Sequence, residues 1–387
     1  MGEIKDAVIV AYGRSAIGRG KKGSLKDTHP VDFAGQVLKG VLSKLPELDT
    51  SLIDDSIIGC SKCEQVQGYN IARLIGFRAG LPDSVPATTI NRFCSSGLQA
   101  ISVAANLIRT GDAEVVIAGG VETMSMLPMG TDPSVRSQWI LENKTDAYMP
   151  MGITAENVAE KCDVTREEMD RFAMESHQKA KRARDEGRFK KQIIPVEIVN
   201  DAGEKVIFET DEGIRDNVTM ESLSMLKPCF KEDGNVTAAT SSQVSDGSGM
   251  VVMMSTERAI ALGIKPIAKF VGYKVVGLNP ALMGLGPTLA VPKVLELTNL
   301  KIEDMDVIEL NEAFAAQAIP SILQTGMDPA KVNPNGGAIA MGHPLGATGA
   351  ILTCKLLAEL ERINGRYGMV TMCIGGGMGA AGIFEML

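Results

Sequence analysis

The sequence predicts an α/β fold, and three observations support this prediction. Short apolar runs of strand length alternate with runs that have the period of amphipathic helices. The first and last parts of the chain share an order of elements, which indicates an internal repeat. The stretch between them, about 121–245, is more polar and mostly helical in pattern, so we interpret it as an insertion lying over the core.

The strands are predicted from apolar runs that are rich in Val and Ile. Residues 31–45 have apolar side chains at helical spacing and predict an amphipathic helix between two strands. In the insertion, Thr165 and Glu168 fit a capping box, which predicts that a helix begins there. The predicted strands are 7–11, 55–59 and 114–118 in the first part, and 268–273, 306–310, 369–373 and 381–386 in the last part.

The two parts of the repeat agree in spacing as well as in order. Ile58 lies 36 residues before Cys94, and Ile308 lies 35 residues before His343. In both parts a helix follows, and then a strand and a glycine-rich turn. If the halves pack with pseudo-symmetry, Cys94 and His343 lie at equivalent helix N-termini and face each other.

Composition narrows the classes of function. The formal net charge of −8 argues against non-specific nucleic-acid binding, which needs an excess of Lys and Arg. No apolar run approaches the ~18 residues that cross a bilayer. Seven dispersed cysteines favour reduced thiols and a cytoplasmic location. Cys60 and Cys63 form a lone C-x2-C motif without a second pair, so we expect no metal site.

Cys94 lies where an amphipathic helix begins. Core packing is the plain alternative, because free cysteine is among the most buried residue types. A helix N-terminus, however, stabilises a thiolate, and its free N–H groups can bind an oxyanion. The position therefore suits a nucleophile with a lowered thiol pKa.

Three further residues are candidates for the same chemistry. His343 is the best partner for a thiol, because His29 is predicted to be structural or at the surface and His177 is predicted to be exposed. Cys373 ends a strand beside a glycine-rich turn, so it is either a second reactive thiol or a core residue. Asn311 follows the strand 306–310 and is placed to hold a carbonyl or a water.

Four long motifs resemble those of the thiolase family, which comprises 3-ketoacyl-CoA thiolases and acetyl-CoA acetyltransferases. They occur in family order, and the resemblance extends essentially from end to end. The motifs are NRFCSSGLQA (91–100), NEAFAAQ (311–317), NPNGGAIAMGHPLGATGA (333–350) and MCIGGGMGAA (372–381).

The resemblance implies the thiolase fold, with two similar βαβαβαββ halves in αβαβα layers and a mostly helical loop domain. The implied N-terminal thiolase domain is 1–262, with the loop-domain insertion at about 121–245, and the C-terminal thiolase domain is 263–387. The implied reaction is the cleavage of 3-ketoacyl-CoA by CoA. Coenzyme A is then a substrate, and no cofactor or metal is expected.

The resemblance also implies residue roles. Cys94 is acylated, His343 activates it, and Cys373 exchanges protons with the acetyl carbon and the CoA thiol. Asn311 holds a water that forms one oxyanion hole with His343, and the N–H groups of Cys94 and Gly375 form the other. The implied CoA contacts are Arg215, Ser222 and Ser242, and the implied pantetheine channel is lined by Met151, Phe230, Met283 and Phe314.

The motifs favour the fatty-acid-oxidation type of thiolase. Residues 124–130 read MSMLPMG and lack the APH that biosynthetic members carry, and Pro150 stands where many of those have His. The Met-rich stretches 124–129 and 149–151 are expected to line a tunnel for the acyl tail. A short-chain acetoacetyl-CoA thiolase is the alternative within the family.

Two other classes of protein are alternatives to a thiolase. Ketosynthase-like enzymes pair one Cys with two His, and only His343 is available here. An inactive CoA- or lipid-binding relative is the non-enzyme alternative. The resemblance further implies a homodimer or homotetramer that binds CoA and acyl-CoA, and it allows a hydratase–dehydrogenase partner subunit.

Overall fold

The computed structural model describes residues 4–127, 129–130 and 132–387, and it has the predicted α/β architecture. Every strand predicted above is present, and the helix predicted at 31–45 spans Pro30–Leu42. The strands are β1 (Ala7–Arg14), β2 (Gly18–Arg19), β3 (Asp55–Gly59), β4 (Ala87–Ile90), β5 (Val115–Thr123), β6 (Val196–Val199), β7 (Lys205–Phe208), β8 (Ser245–Ser255), β9 (Ala268–Gly277), β10 (Val307–Leu310), β11 (Tyr367–Ile374) and β12 (Met378–Met386). The helices are α1 (Pro30–Leu42), α2 (Ile71–Ala79), α3 (Ser96–Thr110), α4 (Gln138–Asn143), α5 (Met151–Lys161), α6 (Arg166–Asp185), α7 (Met220–Ser224), α8 (Thr256–Ala261), α9 (Gly286–Thr298), α10 (Ala315–Thr325), α11 (Ala338–Met341) and α12 (Thr348–Ile363).

The main sheet consists of two similar halves. Its order is β10–β11–β12–β9–β1–β8–β5–β3–β4, and β2 pairs with β8. Within the sheet, the halves are joined where β1 pairs with β9, through Val8 with Lys269 and Ile9 with Ala268. Read outward from this junction, β8, β5 and β3 occupy the places that β12, β11 and β10 occupy in the other half. The two halves are therefore pseudo-symmetric.

The register relates the halves residue by residue. Asp55 pairs with Val116 across β3 and β5, and Val307 pairs with Gly368 across β10 and β11. A residue in this part of the second half thus carries its counterpart's number increased by 252. By this rule His343 corresponds to Asn91, three residues before Cys94. Cys94 and His343 thus precede the equivalent helices α3 and α12, as expected, but they are offset by three positions, because spacing alone does not define strand register.

The sheet halves and helices form five layers. Alternate residues of β1 and β5 point to opposite faces, as the period of two requires. Val8 and Val115 pack under α1 and α2, whereas Ile9 and Val116 face the middle layer. Helices α3 and α12 form that middle layer, and α9 and α10 cover the outer face of the second half-sheet.

The two central helices touch through glycines. A Cβ atom on Gly97 would lie 2.7 Å from the Ala350 nitrogen, and one on Gly349 would lie 2.3 Å from the Leu98 nitrogen. Only glycine permits this approach of two backbones. The contact brings together the turns in which the two helices begin.

The chain leaves the main sheet after Thr123 and returns at Ser245. Between them lie α4–α7 and the two-stranded β6–β7 sheet. The predicted capping box of Thr165 and Glu168 begins α6, whose apolar face is buried as predicted. Within the described ranges, no helix combines the length and apolar character that a membrane crossing requires.

Candidate active site

Cys94 lies in a short 3₁₀ turn, Phe93–Ser95, immediately before α3. Its side chain is only 3% exposed and contacts Met124 and Leu345. The backbone N–H groups of Cys94 itself and of Gly375 lie close enough to its sulfur to favour the thiolate. Two N–H donors from different halves of the protein thus converge at this thiol.

The prediction that Cys94 has a lowered thiol pKa is wrong. Burial raises the pKa of the thiol to about 11, although the two backbone N–H groups lower it. Desolvation disfavours the charged form, and here it outweighs the field of the helix N-terminus. In the free protein Cys94 is therefore a neutral thiol at neutral pH.

Cys373 lies near the end of β11 and is fully buried. Burial raises the pKa of its thiol, and the adjacent Cys94 raises it further. The turn that begins with Gly375 follows, and Gly376 and Gly377 have positive φ angles of 79° and 81°. That turn directs the Gly375 N–H at Cys94 while the strand places Cys373 beside it.

His343 is buried between α11 and α12, and its ring is held at both nitrogens. Nδ1 lies 2.6 Å from the Thr348 hydroxyl, which donates to the Pro344 carbonyl at 3.0 Å. That hydroxyl therefore accepts the Nδ1–H, and the unprotonated Nε2 accepts a hydrogen bond from the Asn311 amide. Burial lowers the pKa of His343 to about 4, so the ring is neutral at neutral pH.

Asn311 begins the loop after β10 and faces the same ring. Its amide nitrogen lies 3.3 Å from His343 Nε2, and its backbone N–H donates to the Thr371 carbonyl. The side-chain oxygen is buried and has no hydrogen-bond partner among the residues that the structure describes. A buried amide oxygen without a partner marks a place where a small polar group fits.

Chemically, the site combines a buried thiol, a second thiol and a neutral base. Both nitrogens of the His343 ring are hydrogen-bonded, to Thr348 and to Asn311. Because neither nitrogen is bonded to the Cys94 thiol, we expect His343 to take the thiol proton only when substrate is bound. Cysteine is an effective nucleophile once a nearby base takes its proton. The converging N–H groups can hold the oxyanion that forms when a carbonyl is attacked.

The four residues expected to line a pantetheine channel lie near Cys373. Met283 and Phe314 share a buried apolar cluster with it, and Met151 packs against that cluster. Phe230 meets the Phe314 ring edge-to-face with centroids 6.0 Å apart. The structure thus brings these side chains together on one side of the second thiol.

The three expected CoA contacts lie further out in the same region. Arg215 and Ser222 are exposed on the insertion, and Ser222 helps to cap α7. The Ser242 N–H donates to the Ala313 carbonyl, beside Phe314. Of these three residues, Ser242 is thus the one that is bonded directly beside the apolar cluster.

His177 was predicted at the surface, and this prediction is wrong. Its side chain is only 6% exposed, and Nδ1 accepts the backbone N–H of Arg215 at 3.1 Å. Burial, followed by the charge of Arg215, lowers the pKa of His177 to about 4. The charged residues around His177 in the sequence suggested an exposed position, whereas His177 lies on the face of α6 that packs against the protein. His29, in contrast, is exposed as predicted and caps α1.

Sequence reasoning also missed three residues that hold the site together. Thr348 orients the His343 ring, and its place at the first turn of α12 was the available signal. The Gln243 side-chain amide donates to the backbone carbonyls of Gly213 and Ala340, and the Gln243 backbone carbonyl accepts the backbone N–H of His343. Glu122 is fully buried and binds the loop after β3 to the turn before α12. No single-sequence pattern distinguishes the last two from other polar residues.

Two methionines of the stretches expected to line an acyl tunnel lie near the candidate active site. Met124 contacts Cys94, and Met151 packs near Cys373. Pro128, within the first stretch, lies outside the described residues. Within the described parts of the chain, no group of His, Cys, Asp and Glu has the arrangement of a metal site.

Two thiols, a neutral imidazole and two N–H groups aimed at one sulfur define a class of cysteine-dependent acyl-transfer sites. Residues 7–257 match the family model described as "Thiolase, N-terminal domain", and residues 264–386 match "Thiolase, C-terminal domain". The chain belongs to the thiolase family.

Individual relatives agree with this assignment. A 3-ketoacyl-CoA thiolase of Bacillus subtilis (strain 168) is 49% identical over 99% of this chain and 100% of its own length. The human peroxisomal 3-ketoacyl-CoA thiolase is 43% identical over 98% of this chain and 91% of its own.

Solved structures show the same fold. A Bacillus anthracis acetyl-CoA acetyltransferase superposes with a TM-score of 0.93 at 40% identity, and both chains are covered completely. The human mitochondrial 3-ketoacyl-CoA thiolase superposes with a TM-score of 0.91 at 37% identity, again over both complete chains. The predicted fold class is confirmed.

Proposed function

We propose that this protein cleaves 3-ketoacyl-CoA with CoA, giving acetyl-CoA and an acyl-CoA shortened by two carbons, in fatty-acid β-oxidation. The observation that supports the proposal is the buried pair of thiols: Cys94 acts on the neighbouring Cys373, and it clusters with Leu345, two residues after His343. Relatives named 3-ketoacyl-CoA thiolase, which the alignment covers over 100% and 91% of their own length, support the same substrate class.

In the first step, Cys94 attacks the 3-keto carbon of the substrate. His343 Nε2 takes the thiol proton, and the N–H groups of Cys94 and Gly375 hold the alkoxide that forms. Collapse of the alkoxide breaks the bond between the second and third carbons. The shortened acyl group stays on Cys94, and the other fragment leaves as the enolate of acetyl-CoA.

In the second step, the enolate oxygen is held by His343 together with a water on Asn311, whose side-chain oxygen is free to bind one. Cys373 gives its proton to the enolate carbon, which completes acetyl-CoA. The Cys373 thiolate then takes the proton of an incoming CoA thiol. That CoA attacks the acyl group, and the free enzyme is restored without a cofactor or a metal.

The proposal places CoA along Arg215, Ser222 and Ser242, with its pantetheine arm against Met151, Phe230, Met283 and Phe314. Those four side chains form the apolar path towards Cys373. A direct test mixes the pure protein with acetoacetyl-CoA and CoA and measures acetyl-CoA. Acyl-CoA binding without turnover would favour the inactive CoA- or lipid-binding relative.

A second candidate function is acetoacetyl-CoA thiolysis alone, which the similarity to a structure titled acetyl-CoA acetyltransferase favours. We expect instead that medium-chain substrates are cleaved at least as well, because Met124 and Met151 can adapt to longer tails. Six extra methylenes contribute up to ~5 kcal/mol when buried, and ordering of the tail offsets part of this. A kcat/KM about 10–100-fold higher for the C10 than for the C4 substrate is expected. A sharp fall beyond C4 would favour the short-chain enzyme.

We also propose that the protein is a homodimer or homotetramer located in the cytoplasm. Strand β4 forms an edge of the sheet, and Tyr69 and Phe93 beside it are exposed. An uncovered edge with exposed aromatic rings is typical of an association surface. Light scattering after size-exclusion chromatography measures the mass, and pull-down from the native host tests for a hydratase–dehydrogenase partner subunit.

A further inference from the structure

The C-x2-C motif of Cys60 and Cys63 follows β3, in the loop directly behind the candidate active site. By the numbering rule that relates the halves, Cys60–Cys63 corresponds to 312–315, the segment that follows Asn311. The mechanism proposed above uses neither cysteine. Both are free thiols.

The two cysteines differ in exposure and lie next to each other in the loop. Cys60 is fully buried, whereas Cys63 is exposed. The Cys63 thiol donates to the Cys60 backbone carbonyl at 3.1 Å, so the side chain of Cys63 folds back onto Cys60. A Cys63 sulfur that already lies against the Cys60 backbone can reach the Cys60 sulfur by a local rearrangement of the loop.

We propose that Cys60 and Cys63 form a thiol–disulfide exchange site for small aliphatic disulfides, and that closing this disulfide lowers the activity of the enzyme. The exposed Cys63 is the attacking thiol, and the buried Cys60 is the resolving thiol. This assignment rests on their positions, their contact and the connections of the loop that carries them.

The small disulfide is the oxidant that forms the protein disulfide. The Cys63 thiolate attacks one of its sulfurs, which forms a mixed disulfide and releases one thiolate. Cys60 then gives its proton to that thiolate and attacks the Cys63 sulfur, which releases the second small thiol. Two protein thiols are oxidised, and one disulfide is reduced to two thiols.

The electrostatics favour Cys63 as the attacking group. The neighbouring Cys60 side chain lowers the pKa of Cys63, and the Cys63 side chain, together with burial, raises the pKa of Cys60. The thiolate is the species that attacks a disulfide. The accessible sulfur is thus also the one more readily deprotonated.

The loop is connected to the His343 segment through Glu122. The Ser61 N–H, between the two cysteines, donates to Glu122 at 2.9 Å, and the Gly346 N–H donates to the same carboxylate oxygen at 2.7 Å. A Cβ atom on Gly346 would lie 2.6 Å from the Ser61 nitrogen, so the two backbones are in contact. A shift of Ser61 therefore moves the turn that follows His343.

A second connection leads to Cys94. The Asn91 side-chain amide donates to the Ser61 carbonyl at 2.9 Å, and its oxygen accepts the Phe93 N–H at 2.8 Å. Phe93 immediately precedes Cys94. Pulling the Cys63 sulfur from the Cys60 carbonyl towards the Cys60 sulfur rearranges the Ser61 peptide that both connections use.

The test treats the reduced full-length enzyme with oxidised glutathione and follows both the disulfide and the activity. Lys62 lies between the cysteines, so trypsin separates them and only a disulfide keeps the two peptides linked. We expect this linked pair in the mass spectrum, at least a fivefold loss of thiolysis, and recovery with dithiothreitol. The peptide link is detected without any assumption about the reaction.

Cys63→Ser should retain the starting activity and lose less than twofold under the same treatment. Cys229→Ser is the matched control, because Cys229 is also exposed beside a backbone carbonyl but has no thiol contact among the described residues. It should behave like the wild type. Equal inactivation of Cys63→Ser and wild type, a disulfide mapped to Cys94 and Cys373, or a Cys60–Cys63 disulfide that leaves activity unchanged would each overturn the proposal.

Discussion

The two halves of this protein place different side chains on equivalent backbone positions. Cys94 in the first half corresponds to Gly346 in the second, and Asn91 corresponds to His343. At the strand ends, Val121 corresponds to Cys373. The first half contributes one sulfur, while the second contributes the imidazole and the second thiol.

Packing explains why only one turn carries the nucleophile. A Cβ atom on Gly346 would lie 2.6 Å from the Ser61 nitrogen and 2.7 Å from Cys60 Cα, so no side chain fits there. Cys94, in contrast, contacts the side chains of Met124 and Leu345. Equivalent backbone turns thus become inequivalent through the loop that packs behind each of them.

The largest expected effect comes from removing the first half's sulfur. Cys94→Ala should abolish acyl-enzyme formation and lower kcat by about 10⁴-fold or more, because the covalent route is lost. Intact-mass spectrometry after mixing with acetyl-CoA measures the acyl adduct. An adduct of wild-type stoichiometry on the variant would place the nucleophile elsewhere.

A smaller effect is expected when the second thiol is replaced by its counterpart. Cys373→Val introduces the side chain of Val121 and removes the proposed acid and base, so kcat should fall about 10²–10⁴-fold. Cys94 should still be acetylated by acetyl-CoA. Exchange of the acetyl methyl protons with deuterated solvent, followed by NMR, should be lost. Exchange at the wild-type rate would contradict the assignment of Cys373.

The Thr348 hydroxyl, which is bonded to the His343 ring, can be tested with a matched pair of variants. Thr348 corresponds to Ser96, whose hydroxyl also turns back, to the Phe93 carbonyl at 2.7 Å. Thr348→Val leaves the His343 Nδ1–H without its acceptor, which should cost about 1–3 kcal/mol, or roughly 10–100-fold in kcat. Thr348→Ser should stay within a few-fold of the wild type. Equal activity of the two variants would show that the hydroxyl does not orient the ring.

The smallest effect concerns pH-dependent stability. Burial lowers the pKa of His343 to about 4, so its contribution to stability is complete above the unfolded value of ~6.5 and is lost as pH falls towards 4. Between pH 7 and pH 5 this loss amounts to about 2 kcal/mol. His343→Asn, which introduces the counterpart residue, should reduce the pH dependence of the unfolding free energy by that amount.

Urea denaturation at the two pH values measures this difference. His177→Gln should reduce the pH dependence similarly, because burial also lowers the pKa of His177 to about 4. His29→Gln, at an exposed position, should leave it unchanged. An unaltered pH dependence in the first two variants would mean that neither ring is neutral in the folded state.

The sequence by itself determined the strands, the repeat, the family and the candidate residues. Apolar period and turn residues are local properties, so the strand at 55–59 and the capping box at Thr165 were readable directly. The motifs around Cys94, Asn311, His343 and Cys373 carried the resemblance, because each is a continuous stretch of chain.

Only the tertiary structure decided the register of the halves, the burial of His177 and the protonation of Cys94. Spacing misaligned the repeat by three residues, because register depends on hydrogen bonds between distant strands. The helix N-terminus suggested a thiolate, yet desolvation by residues such as Leu345, more than 200 positions away, raises that pKa. Burial and electrostatics sum over neighbours in space, and a single sequence does not state which residues those are.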